Sequence, residues 1–330
     1  NHISYTFKNL KHKEKIMGKL FAGIDIGGTT AKIGLVDENG NIIVKTQAKT
    51  EKNSHWQAIM NAYIDPIVQW KNEGKEIVGV GVGGPGAFDK NRRVLKTCVN
   101  IPPLQNEPII EYIEQRLNIP AFGDNDATCA AVGEHIFGAG KDFKNFIMLT
   151  IGTGVGGGIV LNDKVYRGRD GFAGELGHVV AVPGGHLCGC GNRGCIEAYA
   201  SATAIINEVR NGITRGSITS YEGIDPETIN AQIIFDKAKA GDTASIHAVD
   251  NAASHLGTVI GSFVNMLNLD AVIIGGGVSM AGNFFLDKIA FHTRQIAWPL
   301  FMENLPILPA KLQNDAGIIG AASLILEEEK

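Results

Sequence analysis

Short apolar runs alternate with glycine-rich turns along the chain, and their order predicts an α/β fold. Residues 20–26 form a run typical of a buried strand, and a Gly27-Gly28 turn leads into a second run over residues 31–36. Asn39-Gly40 is typical of a two-residue hairpin loop, so residues 41–48 are expected to return as a third strand. Helical spacing over residues 56–72 and an apolar run over residues 77–82 complete a β-β-β-α-β order.

A similar pattern recurs in the second half of the chain. Residues 145–151 predict a strand, residues 152–158 a glycine-rich loop, and residues 159–166 a strand that turns at Asn162-Asp163. A long apolar helix over residues 252–267, a strand over residues 271–274 and a Gly275-Gly276-Gly277 loop follow. Residues 315–328 predict a final helix. Because both halves begin with strand, glycine turn and strand, the pattern indicates a duplicated domain.

Length and composition indicate a globular protein of two domains. The chain has 330 residues, 44% of them hydrophobic, and no apolar run approaches the ~20 residues of a membrane span. A net charge of −4 argues against broad nucleic-acid binding. Residues 1–19 are basic and polar and lack the apolar stretch of a signal peptide, so we expect a cytoplasmic protein. Met17 is the expected natural start, after an upstream extension, with a short basic arm as the alternative.

Three cysteines and one histidine have the spacing of a metal site. Cys188, Cys190 and Cys195 form Cys-x-Cys-x4-Cys, ten residues after His178. Three thiolates and one imidazole complete a tetrahedral zinc shell and leave no position for a catalytic water, which predicts structural zinc. A disulfide or three unrelated buried thiols are the alternatives. Glu175 and Glu197 flank the set, so we expect the zinc to shape a carboxylate-lined binding site.

Two glycine loops are suited to phosphate. In Asp25-Ile26-Gly27-Gly28-Thr29 the backbone amides and the threonine hydroxyl can donate to phosphate oxygens, and Asp25 can hold a hydrated magnesium ion. An ordinary hairpin turn is the alternative. The loop lacks the Gly-Lys-Ser/Thr ending of a Walker loop. Residues 81–86 and 152–158 both contain G-x-G-x-x-G, but a strand continues after the second and Pro85 interrupts the first, which argues against a dinucleotide fold.

One aspartate is a candidate general base. Gly123-Asp124-Asn125-Asp126-Ala127 follows a short predicted strand over residues 120–122 and precedes a predicted helix over residues 128–137. At a helix N-terminus the dipole favours ionised Asp126, which could accept a proton from a sugar hydroxyl while Asn125 fixes neighbouring hydroxyls. A simple N-cap role for Asp126 is the alternative.

Taken together, these motifs resemble those of the ROK family of sugar kinases and repressors. The resemblance rests on residues 25–29, Gly84-Pro85-Gly86, Asn125-Asp126-Ala127, residues 152–158, Gly174-Glu175-Leu176-Gly177-His178 and residues 188–197, in order. It implies an actin-like, ribonuclease-H-like fold of two α/β domains around a cleft where ATP and sugar meet. The expected domains are residues 20–123 with 315–330, and residues 124–314 with the zinc loop. The last helix is expected to pack on the N-terminal domain.

The resemblance also implies a role for each site residue. Asp126 resembles the general base, and His178 is expected to bind zinc through one ring nitrogen and sugar through the other. The implied sugar ligands are Gly84, Asn100, Asn125, Glu175, His178 and Glu197. The implied ATP and magnesium contacts are Asp25, Gly27, Gly28, Thr29, Gly152, Thr153, Gly154, Val155, Gly156, Gly275, Gly276 and Gly277. The family more often reads Glu-Asn-Asp-Ala-Asn where this chain has Asp124 and Thr128, a departure expected to affect sugar preference.

The implied activity is transfer of the ATP γ-phosphate to the C6 hydroxyl of a hexose. The motif around the cysteines looks most like bacterial glucokinases of the family, which implies glucose; N-acetylmannosamine, N-acetylglucosamine, fructose and allose are alternatives, and residues 87–99 could decide among them. A sugar-sensing repressor of the same family is a second possible class of protein. At most about 20 residues precede the first strand, however, which is too few for a three-helix DNA-binding domain. A hydrolase using Glu175 and Glu197 would leave the phosphate loops unexplained. A homodimer or homotetramer is expected.

Overall fold

A five-stranded mixed sheet forms the N-terminal part of the protein. The computed structural model describes residues 18–328, so the expected start at Met17 and the extension before it lie outside the described residues. The sheet has the order β3-β2-β1-β4-β5, in which β1 pairs antiparallel with β2 and parallel with β4. Its strands are β1 (Leu20–Ile26), β2 (Thr30–Val36), β3 (Ile42–Lys49), β4 (Ile77–Gly84) and β5 (Ala121–Asn125).

A second five-stranded sheet repeats this arrangement. Read from β8 to β10, its order is β8-β7-β6-β9-β10, with β6 antiparallel to β7 and parallel to β9. Its strands are β6 (Phe146–Ile151), β7 (Val155–Leu161), β8 (Lys164–Val165), β9 (Ala271–Gly275) and β10 (Ile307–Pro309). The matching order and directions in the two sheets agree with the duplication that the sequence indicated.

Ten α-helices surround the two sheets in the part of the chain that the structure describes. They are α1 (Trp56–Asn72), α2 (Ile109–Leu117), α3 (Asp126–Ile136), α4 (Glu197–Ala200), α5 (Ala202–Thr214), α6 (Ala231–Lys239), α7 (Thr243–Leu267), α8 (Asn283–Ile296), α9 (Pro299–Met302) and α10 (Ala316–Glu328). Buried residues of α1 and α2 share a core with the first sheet, and those of α5 to α8 share one with the second. No helix within residues 18–328 is long and apolar enough to cross a membrane.

Two helices pack closely between the sheets. A Cβ on Gly320 of α10 would lie 2.1 Å from the carbonyl oxygen of Cys129 in α3, and one on Gly81 of β4 would lie 1.7 Å from the carbonyl oxygen of Ala321. Glycine at these positions therefore lets α10 contact α3 on one side and the first sheet on the other. The last helix thus packs on the N-terminal sheet, as expected. The exact domain limits stay a prediction, and β5 continues to Asn125, two residues past the expected boundary.

Two predicted elements have different limits in the structure. Helix α7 begins at Thr243 rather than at residue 252, because the Asp242 side chain accepts a hydrogen bond from the Ser245 amide and caps it. Residues 155–158 belong to strand β7 and not to a loop. A Cβ on Gly158 would lie 2.4 Å from the Cβ of Ala131, so these glycines permit α3 to pack on the strand.

Candidate active site

Strand β5 leads directly into α3, and this junction places Asp126 at the first helical position. Asn125 is the N-cap: its Oδ1 accepts hydrogen bonds from the amides of Ala127 (2.9 Å) and Thr128 (3.2 Å). The expected alternative, an N-cap role for Asp126 itself, is therefore wrong. The Nδ2 of Asn125 donates to the Gly86 carbonyl at 3.1 Å, which ties the cap to the loop after β4.

Three carboxylates lie near one another at this junction. Solvent reaches the Asp126 side chain, yet protein atoms surround it on most sides, as at the floor of a cleft. Burial raises the pKa of Asp126 to about 6, and the Ala127 amide lowers it while the negative charges of Asp25 and Glu175 raise it. A carboxyl with this pKa is ionised at neutral pH and remains basic enough to accept a proton.

Asp25, the last residue but one of β1, lies beside the start of α10. A Cβ on Gly317 would lie 2.2 Å from Oδ2 of Asp25, so only glycine leaves room for the carboxylate there. Burial raises the pKa of Asp25, and the positive charge of Lys32 lowers it. The loop that follows, residues 27–29, is held by Thr50: its amide donates to the Thr29 carbonyl and its hydroxyl to the Gly27 carbonyl, both at 2.9 Å.

The second glycine loop is shorter than the sequence predicted. Residues 152–154 form the turn between β6 and β7, and the Gly152 carbonyl accepts a hydrogen bond from Ala202 at the start of α5 (2.8 Å). The phosphate-binding roles expected for Val155 and Gly156 stay a prediction, and both residues belong to β7. The Val155 amide donates to Glu197 at 3.0 Å, and a Cβ on Gly156 would lie 2.7 Å from that of Ala127.

The Gly275-Gly276-Gly277 segment lies beside this second loop. Thr150 pairs with Gly275, and Gly276, with φ of +81°, contacts the backbone of Ile151. A Cβ on Gly276 would lie 2.4 Å from the Ile151 carbonyl oxygen, so the segment over residues 275–277 packs directly against the strand that leads into the second loop.

Asn100 lies near the first glycine loop, since a Cβ on Gly28 would lie 3.8 Å from the Cβ of Asn100. The structure thus brings Asn100 next to the first glycine loop.

The four expected zinc ligands cluster as predicted. Their ligand atoms all lie within 4.8 Å of one another, and the Sγ atoms of Cys190 and Cys195 are 3.6 Å apart. Zinc–sulfur bonds of about 2.3 Å in a tetrahedron place sulfurs about 3.8 Å apart, so the donor set fits the ion. All five cysteines are free thiols, which contradicts the disulfide alternative.

His178 connects the cysteine cluster to a carboxylate. Its Nδ1 lies 3.7 Å from Sγ of Cys188, and its Nε2 lies 3.9 Å from Oε2 of Glu175. One ring nitrogen therefore faces the metal ligands while the other faces the site. Glu197 makes a second connection, because its Oε1 lies 3.5 Å from Sγ of Cys188 and its Oε2 accepts the Val155 amide. The expected sugar-ligand role of Glu197 stays a prediction.

Sequence reasoning missed a buried ion network next to the candidate base. Asp124 is 3% exposed, and its Oδ2 accepts a hydrogen bond from Nε of Arg167 at 2.7 Å. Arg167 also contacts both carboxylate oxygens of Glu327 near the end of α10. No local signal marks these residues, since 43 and 160 positions separate the partners. The carboxylate of Asp124 is therefore engaged by an arginine rather than presented to a ligand.

The fold and the site together define a class of protein: an actin-like protein with two similar sheets, a glycine turn after the first strand of each, and an aspartate of raised pKa where β5 meets α3. A family model described as the ROK family matches residues 21–328. The chain belongs to the ROK family.

Known relatives include enzymes and regulators. A glucokinase of Thermotoga maritima is 36% identical over 307 residues, which cover 92% of this chain and 96% of that protein. A crystal structure of a ROK family glucokinase from Streptomyces griseus in complex with glucose and AMPPNP is 35% identical with a TM-score of 0.79, and the match covers 92% of this chain and 98% of that one. A xylose repressor of Caldicellulosiruptor bescii is 30% identical, over 93% of this chain and 78% of that protein.

Proposed function

We propose that this protein transfers the γ-phosphate of ATP to the C6 hydroxyl of glucose. The observation that carries the proposal is the surroundings of Asp126 at the β5–α3 junction. Its pKa is raised to about 6 by burial and by the charges of Asp25, just before the first glycine loop, and Glu175, and a Cβ on Gly156, just after the second loop, would lie 2.7 Å from that of the adjacent Ala127. The likeness to glucokinases along nearly the whole chain supports glucose as the sugar. Asn100 next to the first glycine loop, and Glu175 with His178 beside the cysteine cluster, would supply polar groups for the sugar hydroxyls.

In this mechanism Asp126 accepts the proton of the attacking hydroxyl. The sugar oxygen forms a bond to the γ-phosphorus, the bond to the β–γ bridging oxygen breaks, and ADP leaves with that electron pair. Because phosphoryl transfer passes through a loose transition state, positioning and charge neutralisation matter more than base strength. The backbone amides of residues 27–29 and 152–154 would orient the phosphates, and the segment at Gly276 would contact the adenosine.

Two metal ions have distinct places in the proposal. Magnesium, held near Asp25 mostly through its own waters, would neutralise phosphate charge. Cys188, Cys190, Cys195 and His178 would hold structural zinc, which has no open position for chemistry. In this proposal the ion fixes the conformation of the cysteine loop and of His178, and so positions His178 and Glu175 toward the sugar.

ADP release measured with Mg-ATP across a panel of hexoses tests the proposal. We expect glucose to give the highest kcat/KM, and a higher value for N-acetylmannosamine, N-acetylglucosamine, fructose or allose would reassign the substrate. Asp126→Asn should lower kcat about 1,000-fold while zinc content and folding stay unchanged, because only the base is lost. Asp142→Asn, which changes an exposed aspartate, is the matched control.

The relatives that are repressors motivate a second experiment. A gel-retardation assay with DNA should show no binding if the chain acts as a kinase, whereas sugar-dependent retardation without ADP release would favour a regulator. The expected homodimer or homotetramer stays a prediction, which light scattering would test.

A further inference from the structure

A lysine that the sequence did not single out lies at the first glycine loop. The Nζ of Lys52 is 3.8 Å from the position that a Cβ on Gly28 would take, and the Cβ of Asn100 is equally close to that position. Lys52 is exposed, and its ammonium has no ion-pair partner among residues 18–328. A free positive charge thus stands between a loop suited to phosphate and a residue expected to bind sugar.

The chain holds this lysine in place through the residue two positions before it. Thr50 is bound to both Gly27 and Thr29, and its Oγ1 accepts a hydrogen bond from the hydroxyl of buried Tyr63 at 2.9 Å. The segment after β3 is therefore fastened to the glycine loop itself. Glu51 does not neutralise Lys52, because its carboxylate pairs with Lys49 at 2.8 Å.

A neighbouring thiol, Cys98, lies within electrostatic reach of both Lys52 and Asp126. Burial raises the pKa of Cys98 to about 11; the negative charge of Asp126 raises it as well, and the positive charge of Lys52 lowers it. Cys98 is fully buried two residues before Asn100. Both charges therefore lie within electrostatic reach of the same point beneath the site.

We propose that the Lys52 ammonium contacts the phosphoryl group during its transfer from ATP to the sugar. The proposal rests on the proposed kinase function and names a residue for it. The γ-phosphate bound at residues 27–29 would face a sugar bound near Asn100, so the transferred group passes beside Nζ. Negative charge on its oxygens is then stabilised by a cation, as in other phosphoryl transferases. Lys52 exchanges no proton, since the hydroxyl proton goes to Asp126.

Substitution of Lys52, combined with nucleotide binding, tests the proposal. For Lys52→Gln we expect kcat to fall about 100-fold, in line with the loss of one group that stabilises transition-state charge. Calorimetry should show about tenfold weaker binding of AMPPNP but unchanged binding of ADP, because only AMPPNP carries a γ-phosphate. The KM for glucose should stay unchanged. Lys52→Arg should restore most of the activity. Lys141→Gln, which changes an exposed lysine outside the site, should behave as wild type.

Two results would overturn the assignment. Wild-type kcat and wild-type AMPPNP affinity in Lys52→Gln would show that the ammonium does not reach the phosphate. Equal losses of ADP and AMPPNP affinity would indicate that Lys52 only shapes the glycine loop. If instead the wild-type protein binds neither nucleotide and phosphorylates no hexose, the proposed function fails and the assignment fails with it.

Discussion

Replacing Arg167 with glutamine should destabilise the protein through the carboxylate it leaves behind. Arg167 follows β8, and its guanidinium joins Asp124 at the end of β5 to Glu327 near the end of α10. The side chains of Asp124, Glu327 and Arg167 are 4%, 17% and 21% exposed. Arg167→Gln keeps much of the volume but removes the charge-assisted hydrogen bonds, so Asp124 remains buried without its cation.

The expected loss of unfolding free energy is about 3–5 kcal/mol, the usual cost of an uncompensated charge in a buried pair. The unfolding free energy of Arg167→Gln should also depend on pH in a direction that the structure determines. Burial raises the pKa of Asp124, and Arg167 lowers it, so the substitution raises this pKa further. The folded variant then holds the Asp124 proton more tightly than the unfolded chain does. The variant should therefore regain stability as the pH falls and lose it as the pH rises through the raised pKa.

Urea unfolding of four proteins measures the effect. Wild type, Arg167→Gln, Asp124→Asn and the double variant form a double-mutant cycle, followed at about pH 7.5 and about pH 5. The double variant should be more stable than Arg167→Gln alone at the higher pH, since no charge is left unpaired on Asp124. Arg169→Gln, whose side chain is 91% exposed, is the control and should change little. Additive losses with no pH dependence would refute the reasoning.

Three further predictions concern the site and the helix crossing. Because the pKa of Asp126 is raised to about 6, kcat/KM should fall as the pH drops below about 6, and a profile flat to about pH 4.5 would contradict its role as base. His178→Ala should lose both zinc, by elemental analysis, and glucose affinity, by calorimetry; full zinc retention would contradict the ligand assignment. Gly320→Ala, whose Cβ would lie 2.1 Å from the Cys129 carbonyl oxygen, should lower stability by about 1–3 kcal/mol, seen as an earlier urea midpoint.

The features that the sequence predicted well have local signals. A glycine turn between two apolar runs marks the β1–β2 hairpin, and the spacing of the cysteines marks their cluster. The position of Asp126 at the start of a helix has a local signal too, because a polar pair stands between a short strand and a helical pattern. In each case the residues that define the feature are close in sequence, so pattern and spacing suffice.

The features that were missed depend on contacts between distant residues. Glycine content over residues 155–158 predicted a loop, yet β7 forms there because the glycines admit α3 against the strand. Lys52 is an exposed lysine in a polar segment, and only the hydrogen bonds of Thr50 to the glycine loop bring it next to Gly28. Local propensity carries no information about such pairings, since tertiary packing decides them.

Glu197 connects the cysteine loop to the turn over residues 152–154, which we expect to bind phosphate. It follows Cys195 by two residues and begins α4, so the geometry of the cysteine loop sets the position of its carboxylate. That carboxylate accepts the amide of Val155, and a Cβ on Gly154 would lie 2.4 Å from its Oε2. The turn over residues 152–154 is therefore packed on a side chain that the cysteine loop holds. His178 makes a similar contact with Glu175, so an ion held by the cysteine loop would fix the positions of both Glu175, an expected sugar ligand, and the turn expected to bind phosphate.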